Sequence, residues 1–140
     1  MKDEKFKFYQ VEPEKREEII QKLISLLGYK DEILFAYMHG SFLVSKNFRD
    51  IDIAVYLDEA NSKEQLKYEL RLEEELTREL NYPVDVRSLN QAPPSFAYAV
   101  IKNGRRILVN DEDKRVDFEM RTLQKYFDFL PFLRRYLQEA

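Results

Sequence analysis

The sequence predicts an α/β (α+β) fold, a small mixed sheet of about four strands packed by helices, with a helical C-terminal segment. Short apolar runs rich in β-branched and aromatic residues carry the strands, at Ile33–Met38, Asp50–Tyr56, Val84–Leu89 and Arg106–Val109. Longer stretches with apolar residues three or four apart lie between them. No internal repeat, low-complexity tract or linker divides the chain, so residues 1–140 are expected to form one domain.

Pro13 to Leu27 reads as the first helix. Ile19, Ile20, Leu23, Leu26 and Leu27 share a face, Pro13 suits the first turn, and Gly28 suits the stop. The run from Ile33 ends at Gly40-Ser41, and the alternation Asp50-Ile51-Asp52-Ile53 opens the second strand. Asp58 and Glu59 follow it in a solvated turn. Ser62 and Gln65 have capping-box spacing for a helix to about Leu80, with Leu66, Leu70, Leu76 and Leu80 as its face. Tyr82-Pro83 ends that helix, and the third strand follows.

Pro93-Pro94 introduces a short helix from about Ser95 to Lys102, on which Tyr98 is expected to pack. Asn103-Gly104 is a turn into the fourth strand. From Asp111 a long helix presents Val116, Met120, Leu123, Phe127 and Leu130, with Pro131 expected to interrupt it before a last turn or two over 132–138. Phe118, Tyr126, Phe127, Phe129, Phe132 and Tyr136 exceed what one helical face needs. Most are expected in the core, with the excess free to dock a partner.

Of the 140 residues, 44% are hydrophobic and 35% charged, which fits a globular chain rather than a disordered one. A net charge of -3 argues against non-specific nucleic-acid binding. The absence of cysteine excludes disulfides and thiolate metal sites. The start, MKDEKFKFYQ, is too charged for a secretory signal, and no apolar run approaches a membrane span. A cytoplasmic location is therefore expected.

Side chains two apart on a strand share a face, so Asp50 and Asp52 are expected to project together. Two carboxylates ~4 Å apart repel by roughly 4 kcal/mol at an effective dielectric near 20. A hard divalent cation with oxygen ligands, Mg²⁺ first, relieves this most simply. Asp85 adds a third carboxylate if its strand lies beside Asp50–Tyr56, giving a set suited to two-metal phosphoryl transfer. Gly40 allows close backbone approach, and Ser41 offers a hydroxyl and an N–H where a helix begins, which suits a triphosphate. An Asp-X-Asp pair at an exposed strand edge is the structural alternative.

Gly40-Ser41, Asp50-Ile51-Asp52 and Asp85 in a later strand resemble the nucleotidyltransferase superfamily of DNA polymerase β. The segments VDVRSLNQAPPSFAYAVIKNGRRIL and RVDFEMRTLQKYFDFLPFLRRYL are similar to the C-terminal half of the minimal nucleotidyltransferases (MNT) paired with HEPN proteins in prokaryotic toxin–antitoxin modules. The resemblance implies the nucleotidyltransferase fold, with Gly40 and Ser41 on the triphosphate of ATP. It implies Asp50, Asp52 and Asp85 as ligands of two Mg²⁺ ions, with Asp85 assisting deprotonation of the nucleophile. It also implies AMP transfer to a tyrosine of a HEPN RNase toxin, in a hetero-oligomer with that toxin. The family pattern has a longer loop with Arg-Gly soon after the serine. Phe42-Leu43-Val44-Ser45 stands there instead, leaving Lys46 or Arg49 to reach phosphate.

Two classes of function follow. The first is a Mg²⁺-dependent protein adenylyltransferase acting as antitoxin, favoured by the presence of all three aspartates. The second is a non-catalytic antitoxin that masks its toxin, favoured by the altered loop 42–49. Nucleotide transfer to a small molecule ranks below both, since no extra substrate domain is present. His39 is expected to be a strand-end histidine hydrogen-bonded into the structure, because hard Mg²⁺ prefers oxygen. Arg105 and Arg106 are expected on solvated surface.

Overall fold

The structure, a computed structural model, describes residues 7–58 and 62–139. Glu59 and the Ser62 side chain of the expected capping box lie outside the described residues. The elements run β1 (Tyr9–Gln10), α1 (Pro13–Gly28), β2 (Ile33–His39), α2 (Ser41–Val44), β3 (Asn47–Phe48) and β4 (Ile51–Leu57). Then follow α3 (Ser62–Leu80), β5 (Val84–Ser88), α4 (Pro94–Asn103), β6 (Arg105–Val109) and α5 (Glu112–Glu139).

The main sheet has four strands in the order β5-β4-β2-β6. β4 and β5 are parallel, and the other two pairings are antiparallel, so the sheet is mixed as the sequence predicts. Alternation along β4 divides its side chains between two cores. Ile51, Ile53 and Val55 join Ile20, Leu23 and Leu27 of α1 and Leu72, Leu76 and Leu80 of α3. Ala54 joins Phe35 and Tyr37 of β2, Ala97 and Val100 of α4, and Phe118 of α5. A second sheet of two residues per strand pairs Tyr9 with Phe48 and Gln10 with Asn47. Two-residue strands carry no periodicity, and none was expected there.

β5 is an edge strand, and α3 covers its edge with side chains. Ser88 N–H donates to Glu69 (2.7 Å), Val86 N–H to Glu73 (2.9 Å), and Val84 N–H to Thr77 Oγ1 (3.1 Å). Four helical residues rise about 6 Å and two strand residues about 6.6 Å, so the two ladders stay in step. The free N–H groups of the edge are thereby satisfied and closed to another chain.

This ladder corrects the expected face of α3. Leu72, Leu76 and Leu80 are buried, but Leu66 and Leu70 are 57% and 58% exposed. Their one-residue offset from Gln65 and Glu69 carries them past the strand edge into solvent. Two expectations for α5 are also corrected. The helix continues through Pro131, whose missing N–H removes one bond from a 28-residue element without ending it. Its buried residues are Arg115, Phe118 and Thr122, whereas Val116, Met120 and Phe127 are exposed. The cause is polar: Arg115 donates to Glu112 and Glu119, and the Tyr37 hydroxyl donates to Glu119 at 2.6 Å. Phe129, Phe132 and Tyr136 are exposed too, so the aromatic run is mostly surface and not core.

Candidate active site

The register of three strands assembles the candidate site. Asp52 on β4 pairs with Asp85 on β5 on one side and with His39 on β2 on the other. Directly opposed residues share a sheet face, so all three project on the α4–α5 side of the sheet. β4 begins at Ile51, so Asp50 stands just ahead of the strand and is exposed, while Asp52 is half-buried. Water therefore relieves Asp50, and the conflict between charge and burial falls on Asp52.

Burial is the main force raising the Asp52 carboxyl to about 7, and the charges of Asp85 and Asp50 add to it. A hydrogen bond with Asp85 favours the protonated form further, and the Arg87 cation opposes it. Arg87, two residues after Asp85 and on its face, holds Nε 3.6 Å from Asp85 Oδ2 and lies over the Phe96 ring at 5.3 Å. Glu73, the residue of α3 that accepts the Val86 N–H, has its carboxyl pushed up by burial and by the charge of Asp85.

The turn that faces Asp52 is Gly40-Ser41. Gly40 has φ +82°, a left-handed conformation, and a Cβ there would run into the Asp52 carboxylate. Ser41 opens α2 and is exposed. Lys46 lines a cavity of about 590 Å³ between the N-terminal segment and α2, together with Arg16, Leu43 and Val44. Arg49 lies over the Phe8 ring at 5.8 Å, on the stretch that leads into Asp50.

Among the described residues, the structure thus brings Gly40, Asp50, Asp52 and Asp85 together, and it sets Lys46 and Arg49 on the flanking loop. One expectation is corrected. His39 packs edge-on against Phe96 at 5.5 Å, and its buried Nε2 finds no hydrogen-bond partner among the described residues. Burial lowers the His39 pKa, and Arg87 adds to this against Asp85. Arg105 and Arg106 are exposed as expected, and they pair with Glu17 (3.0 Å) and Glu119 (3.4 Å). Tyr98 is packed as expected, stacked on Tyr126 at 3.9 Å.

Arg87, Phe96 and Glu73 are additions that the sequence reading missed. Alternation from Asp85 was a legible signal for Arg87. Phe96 and Glu73 arrive through tertiary packing and have none.

The donor set suits a hard divalent cation. It is made of carboxylate oxygens, and burial, with the charges of Asp85 and Asp50 added, already drives Asp52 to hold a proton near neutrality. Among the described residues no three acidic or imidazole side chains converge at ligating geometry as they stand. Arg87 screens Asp85 in this arrangement. A glycine turn packed against a carboxylate cluster is an arrangement that phosphoryl and nucleotidyl transfer use.

A model of the family described as polymerase beta, nucleotidyltransferase, matches residues 21–113, a span that includes Gly40, Ser41, Asp50, Asp52 and Asp85. The chain belongs to this nucleotidyltransferase family. Solved structures narrow the likeness of fold. One is a chain from the complex of tri-AMPylated Shewanella oneidensis HEPN toxin with MNT antitoxin, 21% identical with a TM-score of 0.67, over 89% of this chain and 97% of that one. A chain of the toxin–antitoxin MntA-HepT is 21% identical with a TM-score of 0.66, over 88% and 97%. A chain of the toxin–antitoxin with AMP-PNP is 22% identical with a TM-score of 0.68, over 86% and 96%. No curated protein sequence matches the chain. No helix among the described residues is long and apolar enough to cross a membrane.

Proposed function

We propose that the protein, as a single nucleotidyltransferase domain in the cytoplasm, transfers AMP from ATP to a tyrosine of a HEPN RNase toxin and thereby acts as its antitoxin. The observation that carries this reading is the register of Asp52 with Asp85 beneath the Gly40 turn. Family membership supports the reaction class. The likeness to chains from complexes of an AMPylated HEPN toxin, an MNT antitoxin and AMP-PNP supports the substrate, donor and partner.

In this reading Gly40 and Ser41 hold the triphosphate, and Lys46 and Arg49 add positive charge beside it. Asp50, Asp52 and Asp85 hold Mg²⁺, two ions in all, which supplies positive charge against the phosphates when bound. The tyrosine oxygen forms a bond to the α-phosphorus, the bond to the β-phosphate breaks, and pyrophosphate leaves. Asp85 takes the phenolic proton. The exposed Met120, Phe127, Phe129, Phe132 and Tyr136 of α5 offer the toxin an apolar surface.

A second reading, a non-catalytic antitoxin that masks its toxin, draws on that same surface and on the loop 42–49. Incubation with the toxin and ATP labelled at the α-phosphate separates the two. Label on the toxin supports transfer, and a stable but unlabelled complex supports masking.

A further inference from the structure

We propose that Arg16 of α1 is a positioning residue that sets the nucleotide-binding turn, an inference that rests on the nucleotide reading of Gly40 and Ser41. α2 is a single turn without a side-chain cap at its N-terminus, and its last carbonyls have no helical partners of their own. Arg16 supplies those partners from another element. It donates through Nη1 to the Phe42 carbonyl and through Nη2 to the Ser45 carbonyl at 2.7 Å. Its guanidinium also lies 5.1 Å from the centre of the Phe42 ring, which is fully buried and packed edge-on against Phe48 at 4.7 Å.

Both ends of the guanidinium fork are therefore committed to backbone, so Arg16 acts on the turn rather than on phosphate. Ser45 N–H closes α2 onto the Ser41 carbonyl at 2.8 Å, so a clamp on Phe42 and Ser45 fixes the position of Ser41. Asp52 and Asp85 stand on β4 and β5, which the hydrogen bonds of Arg16 do not reach. Arg16 also precedes the residues that the family model matches, 21–113. No arginine stands within the turn itself, Gly40 to Ser45, so the clamp comes from a helix that sequence spacing does not connect to it.

Titration of the full-length chain with AMP-PNP and Mg²⁺, and separately with Mn²⁺ alone, tests this. For Arg16→Ala the expected result is about tenfold weaker AMP-PNP binding with unchanged Mn²⁺ affinity. Arg16→Lys should recover only part of the loss, because an ammonium cannot fork between two carbonyls. In turnover, the KM for ATP should rise while kcat moves little. Equal AMP-PNP affinity in wild type and Arg16→Ala would overturn the clamp while leaving the nucleotide reading intact. Failure of the wild-type chain to bind AMP-PNP would overturn that reading and the clamp with it. Should Arg16→Ala not fold, Arg16→Lys decides: weaker AMP-PNP binding at unchanged Mn²⁺ affinity supports the clamp, and unchanged binding overturns it.

Discussion

Asp52 of β4 lies in parallel register with Asp85 of β5, with the Gly40 turn packed against its carboxylate. Burial at that position, with the charges of Asp85 and Asp50 added, raises the Asp52 carboxyl to about 7. A carboxyl raised on folding stabilises the protein fully below its unfolded value near 4, and the contribution is lost as pH rises through 7. In metal-free solution, Asp52→Asn is therefore expected to be more stable than wild type at pH 8 by about 1 kcal/mol, a figure reduced because Asp52 is only half-buried. The difference should vanish near pH 4. Urea denaturation at both pH values checks it, and a pH-independent difference would contradict it.

Gly40 has no room for a side chain. Gly40→Ala must strain a left-handed residue and displace the Asp52 carboxylate. A stability loss of about 1–3 kcal/mol is expected, with transfer activity falling by far more than the stability change explains. Thermal melts alongside turnover measure both.

Arg87 screens Asp85 at 3.6 Å from one strand position away on the same face. Removing its charge makes the cluster more negative, so Arg87→Met should bind Mn²⁺ about threefold more tightly, a small effect because the side chain is well exposed. Electron paramagnetic resonance of free Mn²⁺ would read the change, and weaker binding would contradict it.

Glu73 closes the edge of β5 by accepting the Val86 N–H. Glu73→Ala is expected to cost about 1–2 kcal/mol and to speed amide exchange at Val86 before that of Ile53 in the central strand. Equal exchange at the two positions would remove the helix-to-edge ladder from the account.

The apolar surface of α5 leads to a separate expectation. Phe132 is 66% exposed. Phe132→Asp should leave the fold and nucleotide binding unchanged and weaken toxin binding by at least about tenfold. Sedimentation of the mixed proteins would show it.

Much of this arrangement is legible in the sequence. The alternation in Asp50–Tyr56 and the single polar position in Val84-Asp85-Val86 are enough to anticipate that Asp52 and Asp85 meet once the strands pair. The face of α5 was not legible, because its buried stripe holds Arg115 and Thr122, and apolar spacing selects the exposed Val116 and Met120 instead. Leu66 and Leu70 misled for the same reason: Glu69 and Glu73, polar by type, turn inward to satisfy a strand edge. The Arg16 clamp and the β1–β3 pair join residues far apart in the chain through contacts too few to leave a periodic mark.

The most direct test of the central claim is the intact mass of the HEPN toxin after incubation with this protein, ATP and Mg²⁺, with Asp52→Ala run in parallel. The account expects the toxin to gain mass in whole AMP units with the wild-type chain and none with Asp52→Ala. A toxin of unchanged mass, held in a stable complex by both proteins, would contradict transfer and leave an antitoxin that works by binding alone.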